Sequence, residues 1–246
     1  MFSFFSKKHF LIDHLDGFID IHNHILPGID DGAKTVEDAI DLIKGFNEFG
    51  VTHFICTPHI MENYYPNDPT TIASSLLLLN NALKMSNLEH INVAAAAEHM
   101  IDSGFEKILN DKQIMPLAKN YLLIEMSYLQ ASINFDSSVN KIKSTGLFPI
   151  FAHPERYAYL HKNLKAYAKY KNDGLLFQMN MLSIGDYYGK EVKQTALYLL
   201  KNNLIDFIAS DVHRISQLNY LKKISINEKT LMLIKPIIEK TIYNFK

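Results

Sequence analysis

The sequence predicts an α/β domain whose parallel strands form a barrel or a strongly curved sheet. Three observations predict it. Short, nearly continuous apolar segments alternate with amphipathic helical patterns along the chain, as expected for strands covered on both faces by helices. Seven such segments occur in one chain, which favours a barrel or curved sheet over an open doubly wound one. Most of them end in His, Asp or Glu, and parallel α/β folds build their sites where strand C-termini meet.

The elements follow in order. "GFIDIH" reads as the first strand, and 35–49 as an amphipathic helix stopped by Gly50. "THFICT" is the second strand, followed by a loop and a helix over about 70–86. "INVAAAAE", "YLLIEM", "LFPIFAH", "LLFQMN" and "DFIAS" are the remaining five strands, with helical patterns at 136–145, 161–173 and 189–203. The stretch 227–245 reads as a C-terminal helix interrupted at Pro236. There is no Pro/Gly linker and no repeat at solenoid spacing, so residues 18–246 are expected to form a single barrel domain. Residues 1–17 form a Phe-rich tail without the long apolar region or small-residue cleavage site of a signal peptide. It is expected to pack its phenylalanines onto the domain.

The composition is globular, 48% hydrophobic and 21% charged, with net charge -1. That balance provides no basic field for nucleic acid. An anionic substrate remains compatible, because bound cations bring local charge that the residue count omits. The single cysteine, Cys56, excludes an intrachain disulfide framework and a cysteine-rich zinc site, and fits a reducing cytoplasm. No run approaches the roughly 18 apolar residues of a membrane span.

The strand ends carry the chemistry. The first delivers His22 and His24, followed by Asp31; the second runs into His59; the third ends in Glu98 and the fourth in Glu125. The fifth ends in His153, and the seventh is followed by Asp211 and His213, whereas the sixth brings the neutral Gln178 and Asn180. Period-two alternation points His22 and His24 to one side, and Asp211 and His213 likewise if the strand continues that far. Imidazole and carboxylate without thiolate suit manganese, iron or zinc. Nine donors exceed the needs of one ion, so a two- or three-metal cluster is expected. Such a cluster activates water and clamps phosphate oxygens during in-line displacement.

Each part alone has a plainer reading. His-x-His pairs are common in cores and on surfaces, and Asp30-Asp31-Gly32 is a turn signal. Glu98 and Glu125 stand in otherwise apolar segments, where a buried carboxylate needs a partner or a metal. The conjunction is the evidence. Arg156, three residues past His153, is suited to bidentate phosphate binding, against the alternative of a rim salt bridge with Glu155. His9, His14, His53, His90, His99 and His161 read as structural or surface residues.

The segments "DIHNHILPGIDDGAKT", "TPHIMENYY", "AAEHMID", "LIEMSY", "AHPERY" and "IASDVHR" closely resemble the PHP-type (polymerase and histidinol phosphatase) protein-tyrosine phosphatases. This manganese-dependent branch is associated with bacterial capsule and exopolysaccharide operons. The resemblance runs from about residue 18 to 214, with the motifs in family order. It implies a distorted (β/α)7 TIM-like barrel holding three divalent ions, manganese first, with iron, zinc or cobalt as alternatives. It further implies that His22, His24, Glu98 and Asp211 hold one ion. Glu98 bridges to a second with Glu125 and His153, and Asp31, His59 and His213 hold the third. Arg156 meets the phosphate, and His59 or Asp211 is the candidate general acid if not committed to metal. The implied substrate is protein phosphotyrosine, in particular the tail of a bacterial tyrosine kinase, which would place the enzyme in the cytoplasm, at the inner membrane face through its partner.

Three other readings compete. A small-molecule phosphatase of the same fold, acting for example on histidinol phosphate, shares the metal chemistry; an open mouth favours a peptide and a deep pocket a small ester. Tyr64 and Tyr65 are candidates to line that mouth, or else packing residues. A cysteine-based phosphatase needs arginine six residues after its cysteine, and here Glu62 stands at that spacing from Cys56. A non-catalytic metal-bound scaffold is disfavoured by the complete donor set.

Overall fold

The computed structural model describes residues 8–246. The expected strands appear as β2 (Ile19–Asp20), β3 (His53–Cys56), β5 (Asn92–Ala95), β7 (Tyr121–Glu125), β8 (Phe148–Ala152), β9 (Leu176–Asn180) and β10 (Phe207–Ala209). Two short strands extend this set: β4 (His59–Ile60) continues the path of β3, and β6 (Glu98–Met100) continues that of β5. Pro58 interrupts the first of these paths, because proline has no N–H for the ladder. "INVAAAAE" is correspondingly split at Ala96-Ala97.

The strands β2-β3-β5 form one parallel sheet and β4-β6-β7-β8-β9-β10 another. Backbone hydrogen bonds bridge the gaps between them: Ala96 N–H donates to Cys56 O at 2.8 Å, and Glu98 N–H to Pro58 O at 3.1 Å. The ring closes where Asn23 and Val212 form a parallel bridge. There Asp211 N–H donates to His22 O at 2.8 Å and His24 N–H to Val212 O at 3.0 Å. The result is a distorted parallel barrel of seven strand paths, with its first and last strands joined at the mouth.

Helices cover the outside. α1 (Val36–Asn47) starts at a capping box between Thr35 and Asp38, and α2 (Pro69–Met85) at one between Asp68 and Thr71 with Pro69 in the first turn. α3 (Phe105–Asn110) is short, as is α5 (Ala158–His161), which with α6 (Leu164–Asn172) divides the helix expected over 161–173. α4 (Phe135–Ser144) and α7 (Lys190–Lys201) lie where the periodicity puts them, and α8 (Ile215–Leu221) is an addition. α9 (Glu228–Phe245) corrects one expectation: it runs without interruption through Pro236. The carbonyl left without a donor there belongs to Met232, a residue on the exposed flank of the helix.

The barrel floor is apolar. Ile19, Ile21, Leu123, Ile150, Phe207 and Ala209 form one buried cluster. Phe245 of α9 closes it from below, its ring 5.4 Å from Tyr121 and 5.2 Å from Phe207. The chain before β2 also joins the body. β1 (Lys8–Phe10) pairs antiparallel with β11 (Ser225–Asn227), and Leu11 and Leu15 are buried in the outer core. Phe10 is exposed; Phe2, Phe4 and Phe5, the rest of the Phe-rich tail, lie outside the described residues.

Phe207→Ala removes the centre of this floor, and the cavity is expected to cost about 3–5 kcal/mol. Chemical denaturation of the two proteins checks it; a loss under about 1 kcal/mol would contradict a packed floor.

Candidate metal centre

The polar mouth begins at a bend. The chain turns at His22, so His22 and His24 face the barrel interior together, their Nε2 atoms 3.3 Å apart. The turn that follows folds back on His24: Ala33 N–H donates to His24 O at 3.0 Å. A Cβ on Gly32 would stand 2.0 Å from that same carbonyl oxygen, so only glycine fits. This is why Asp30-Asp31 is followed by glycine.

The other donors converge on this pair. Glu98 Oε2 lies 3.2 Å from His22 Nε2, 3.5 Å from His24 Nε2 and 3.2 Å from His59 Nδ1. Glu98 Oε1 is 3.0 Å from His153 Nε2, and Glu125 Oε1 is 2.9 Å from His59 Nδ1. Asp211 Oδ1 lies 3.4 Å from both His22 Nε2 and His24 Nε2. On the outer side Asp31 Oδ1 is 3.4 Å from His59 Nε2 and 3.5 Å from His213 Nε2. All nine sequence-predicted donors therefore share one mouth. They form four overlapping groups with donor atoms within 4.8 Å of one another: His22, His24 and Asp211; His24, Asp31, His59 and His213; His22, Glu98 and His153; and His59, Glu98 and Glu125. The last two groups divide the implied Glu98, Glu125 and His153 set between two neighbouring imidazoles.

Two donors arrive by a route that alternation does not describe. β10 ends at Ala209, so Asp211 and His213 are not strand neighbours. Asp211 takes φ 52° and His153 φ 33°, both left-handed. Such a backbone costs on the order of 1–3 kcal/mol and persists where surroundings over-determine it. Here it re-aims both side chains into the mouth.

A supporting layer went unassigned in the sequence. Gln178 Oε1 lies 2.7 Å from His22 Nδ1, and Asp30 Oδ2 2.7 Å from His24 Nδ1. Each oxygen accepts the Nδ1 proton and leaves Nε2 free to face the centre. Asp30 also accepts from Gly32 N–H at 2.8 Å and His59 N–H at 3.2 Å. Its only sequence signal was its place in the turn. Asn180 donates to Asp211 Oδ2 at 2.6 Å. His99, turned away from the centre, is satisfied by Leu123 O and Met115 N–H, and burial pushes its pKa down to about 4.

Arg156 stands at the rim. Its Nη1 donates to Asp211 Oδ2 at 2.7 Å, and its guanidinium lies between the rings of Tyr188 and Tyr128, 4.1 and 4.7 Å from their centres. It is not paired with Glu155, which is buried and accepts from Asn180 N–H and Ser183 Oγ. Tyr128 Oη lies 3.2 Å from His153 Nε2, and Tyr65 stacks on His59. Cys56 is fully buried in β3, and burial pushes its thiol pKa up, which is no setting for a nucleophile.

Electrostatics account for the ionised carboxylates. Burial works to raise the Glu98 and Asp211 carboxyls, but the facing imidazoles, with Arg156 at Asp211, hold both well below the usual range. Burial opposes charge on His24 and His59, yet Asp30 and Glu125 hold their pKa values well above the usual one. Glu98 Oε2, Glu125 Oε1, His59 Nδ1 and His153 Nδ1 are buried without hydrogen bonds. Buried, unsatisfied nitrogen and carboxylate donors are costly unless a cation takes them up, so the residues fit divalent ions.

A closed parallel barrel with this donor set at its mouth defines a metal-dependent hydrolase of the TIM-barrel kind. Within that class the chain belongs to the CpsB/CapC family of capsular polysaccharide synthesis, whose family model matches residues 18–225. It is 30% identical over 229 residues to CapC of Staphylococcus aureus, covering 93% of this chain and 89% of that one. Identity to the tyrosine-protein phosphatase YwqE of Bacillus subtilis is 30% over 203 residues, 82% of this chain and 80% of that one. The fold is similar to a crystal structure reported for YwqE from Bacillus subtilis and CpsB from Streptococcus pneumoniae, metal-dependent tyrosine phosphatases. The TM-score is 0.77 at 28% identity, over 93% of this chain and 95% of that one.

Asp30→Ala removes the acceptor that orients His24. Affinity for a divalent ion is expected to fall about 10–100-fold, read as metal retained after dialysis against a graded chelator. Unchanged retention would show that His24 needs no orientation.

Proposed function

We propose that this protein removes phosphate from phosphotyrosine in proteins. The reading rests on its match, over nearly the whole chain, to metal-dependent tyrosine phosphatases, together with the nine donors at one mouth. His22, His24, Glu98 and Asp211 are assigned to one divalent ion, Glu98, Glu125 and His153 to a second, and Asp31, His59 and His213 to a third, with manganese the expected metal. Bound divalent ions supply Lewis acidity, which lowers the pKa of water and stabilises charge on phosphoryl oxygens.

The protein's own groups orient the reaction. Arg156 has further N–H donors beyond the one held by Asp211, and the flanking tyrosines fix its plane for two phosphoryl oxygens. His59, flanked by carboxylates at both nitrogens, is assigned to the third ion and would serve as general acid only if not committed to metal. A tyrosine leaving group has a conjugate acid pKa of about 10 and departs with less proton assistance than an alkoxide. The substrate in the cell is assigned to the tail of a bacterial tyrosine kinase, in keeping with the family's place in capsular polysaccharide synthesis. No helix among the described residues is long and apolar enough to cross a membrane, and action at the cytoplasmic membrane face is assigned to the kinase partner.

Hydrolysis of a phosphotyrosine peptide, run beside histidinol phosphate with added manganese and again after chelation, tests the reading. The peptide is expected to be preferred, with activity lost on chelation and restored by metal. Preference for histidinol phosphate would move the protein to small-molecule chemistry; turnover of neither, with metal bound, would favour a scaffold. His22→Ala combined with His24→Ala is expected to lower kcat to background, while Cys56→Ser retains activity.

A further inference from the structure

A groove of about 1050 Å³ opens beside the metal centre, and Asp31, His59 and Glu125 form its inner end. It runs outward between the loop after β4, with Met61, Tyr64 and Tyr65, and the loop after β7, with Tyr128, Leu129 and Ile133. Tyr64, Leu129 and Ile133 are 77%, 92% and 103% exposed, so apolar side chains line the wall and rim without covering one another. The volume is at the upper end of the range that accommodates a whole drug-sized ligand, more than one phosphorylated ring occupies.

The charge of the groove is one-sided. No lysine or arginine lines it, and its ionic group beyond the metal centre is Asp102. That carboxylate is held by the backbone N–H groups of Glu62, Gly104 and Phe105. Glu62 stands at the same edge, accepting from Ser103 Oγ at 2.6 Å. Two fixed carboxylates beside exposed aliphatic side chains attract apolar and cationic groups and repel anionic ones.

We propose that this groove binds the polypeptide flanking the target phosphotyrosine, and that it selects apolar and basic neighbours and rejects acidic ones. The proposal rests on the phosphotyrosine reading above. The groove opens onto the metal centre at Asp31, His59 and Glu125, so a chain whose phosphotyrosine enters that centre has its adjacent residues between the two loops. Leu129 and Ile133 meet the apolar neighbours; Asp102 and Glu62 set the charge preference.

The test uses the manganese-loaded protein and three phosphotyrosine peptides of equal length, flanked by leucine and lysine, by alanine, or by glutamate, with p-nitrophenyl phosphate as a probe without flanks. kcat/KM is expected to fall about tenfold from the first peptide to the second and again to the third, mainly through KM. The penalty on glutamate should shrink as salt is raised. Leu129→Ser with Ile133→Ser is expected to bring the leucine-lysine peptide down to the alanine level, lowering peptide kcat/KM more than that on p-nitrophenyl phosphate. Asp102→Asn, which keeps a capping oxygen, is expected to relieve the glutamate penalty. Equal kcat/KM on all three peptides would overturn this inference and leave the phosphatase reading standing. Turnover of p-nitrophenyl phosphate with none of any peptide would overturn both.

Discussion

Everything at the mouth depends on the burial of the Glu98 carboxylate. It is fully shielded from solvent, and four imidazoles from three other segments surround it: His22 and His24, His59, and His153. A buried charge of this kind is tolerated only when paired and coordinated. The elements that bring those partners are thereby bound to one geometry. A shift in the register of β6 against β4 or β7 would turn the carboxylate to the opposite face.

The barrel separates its two tasks along its axis. The floor is apolar and carries the packing, with Phe207 and Phe245 closing it. The mouth carries the charge and the local strain. His153 and Asp211 hold left-handed backbone there; a hydrogen bond from Asn180 fixes Asp211, and Gln178 and Asp30 orient His22 and His24 beside it. Beside it, the exposed loops after β4 and β7 wall the groove.

Much of this was legible before the fold. Seven strands and the principal helices follow from periodicity, and all nine donors stand at or just beyond strand ends, where a parallel α/β fold gathers its chemistry. The misses have physical causes. Pro236 sits within α9 where Met232, the residue whose carbonyl loses its helical donor, is exposed. Asp30 read as a turn residue because a turn is what its neighbours display; that its carboxylate orients His24 depends on a fold-back that only Gly32 permits. Gln178 was passed over as neutral, yet its amide oxygen lies 2.7 Å from His22 Nδ1 and orients that ring.

The sequence by itself determined the class of fold, the donor set and the family, because periodicity, residue chemistry and motif order are local properties of the chain. Tertiary structure alone decided which donors face one another, how Arg156 is held and where the groove runs. Those depend on barrel closure, in which Asn23 meets Val212, and on left-handed backbone at His153 and Asp211. Neither is encoded within a short window, since both are held in place by contacts between segments distant in the chain.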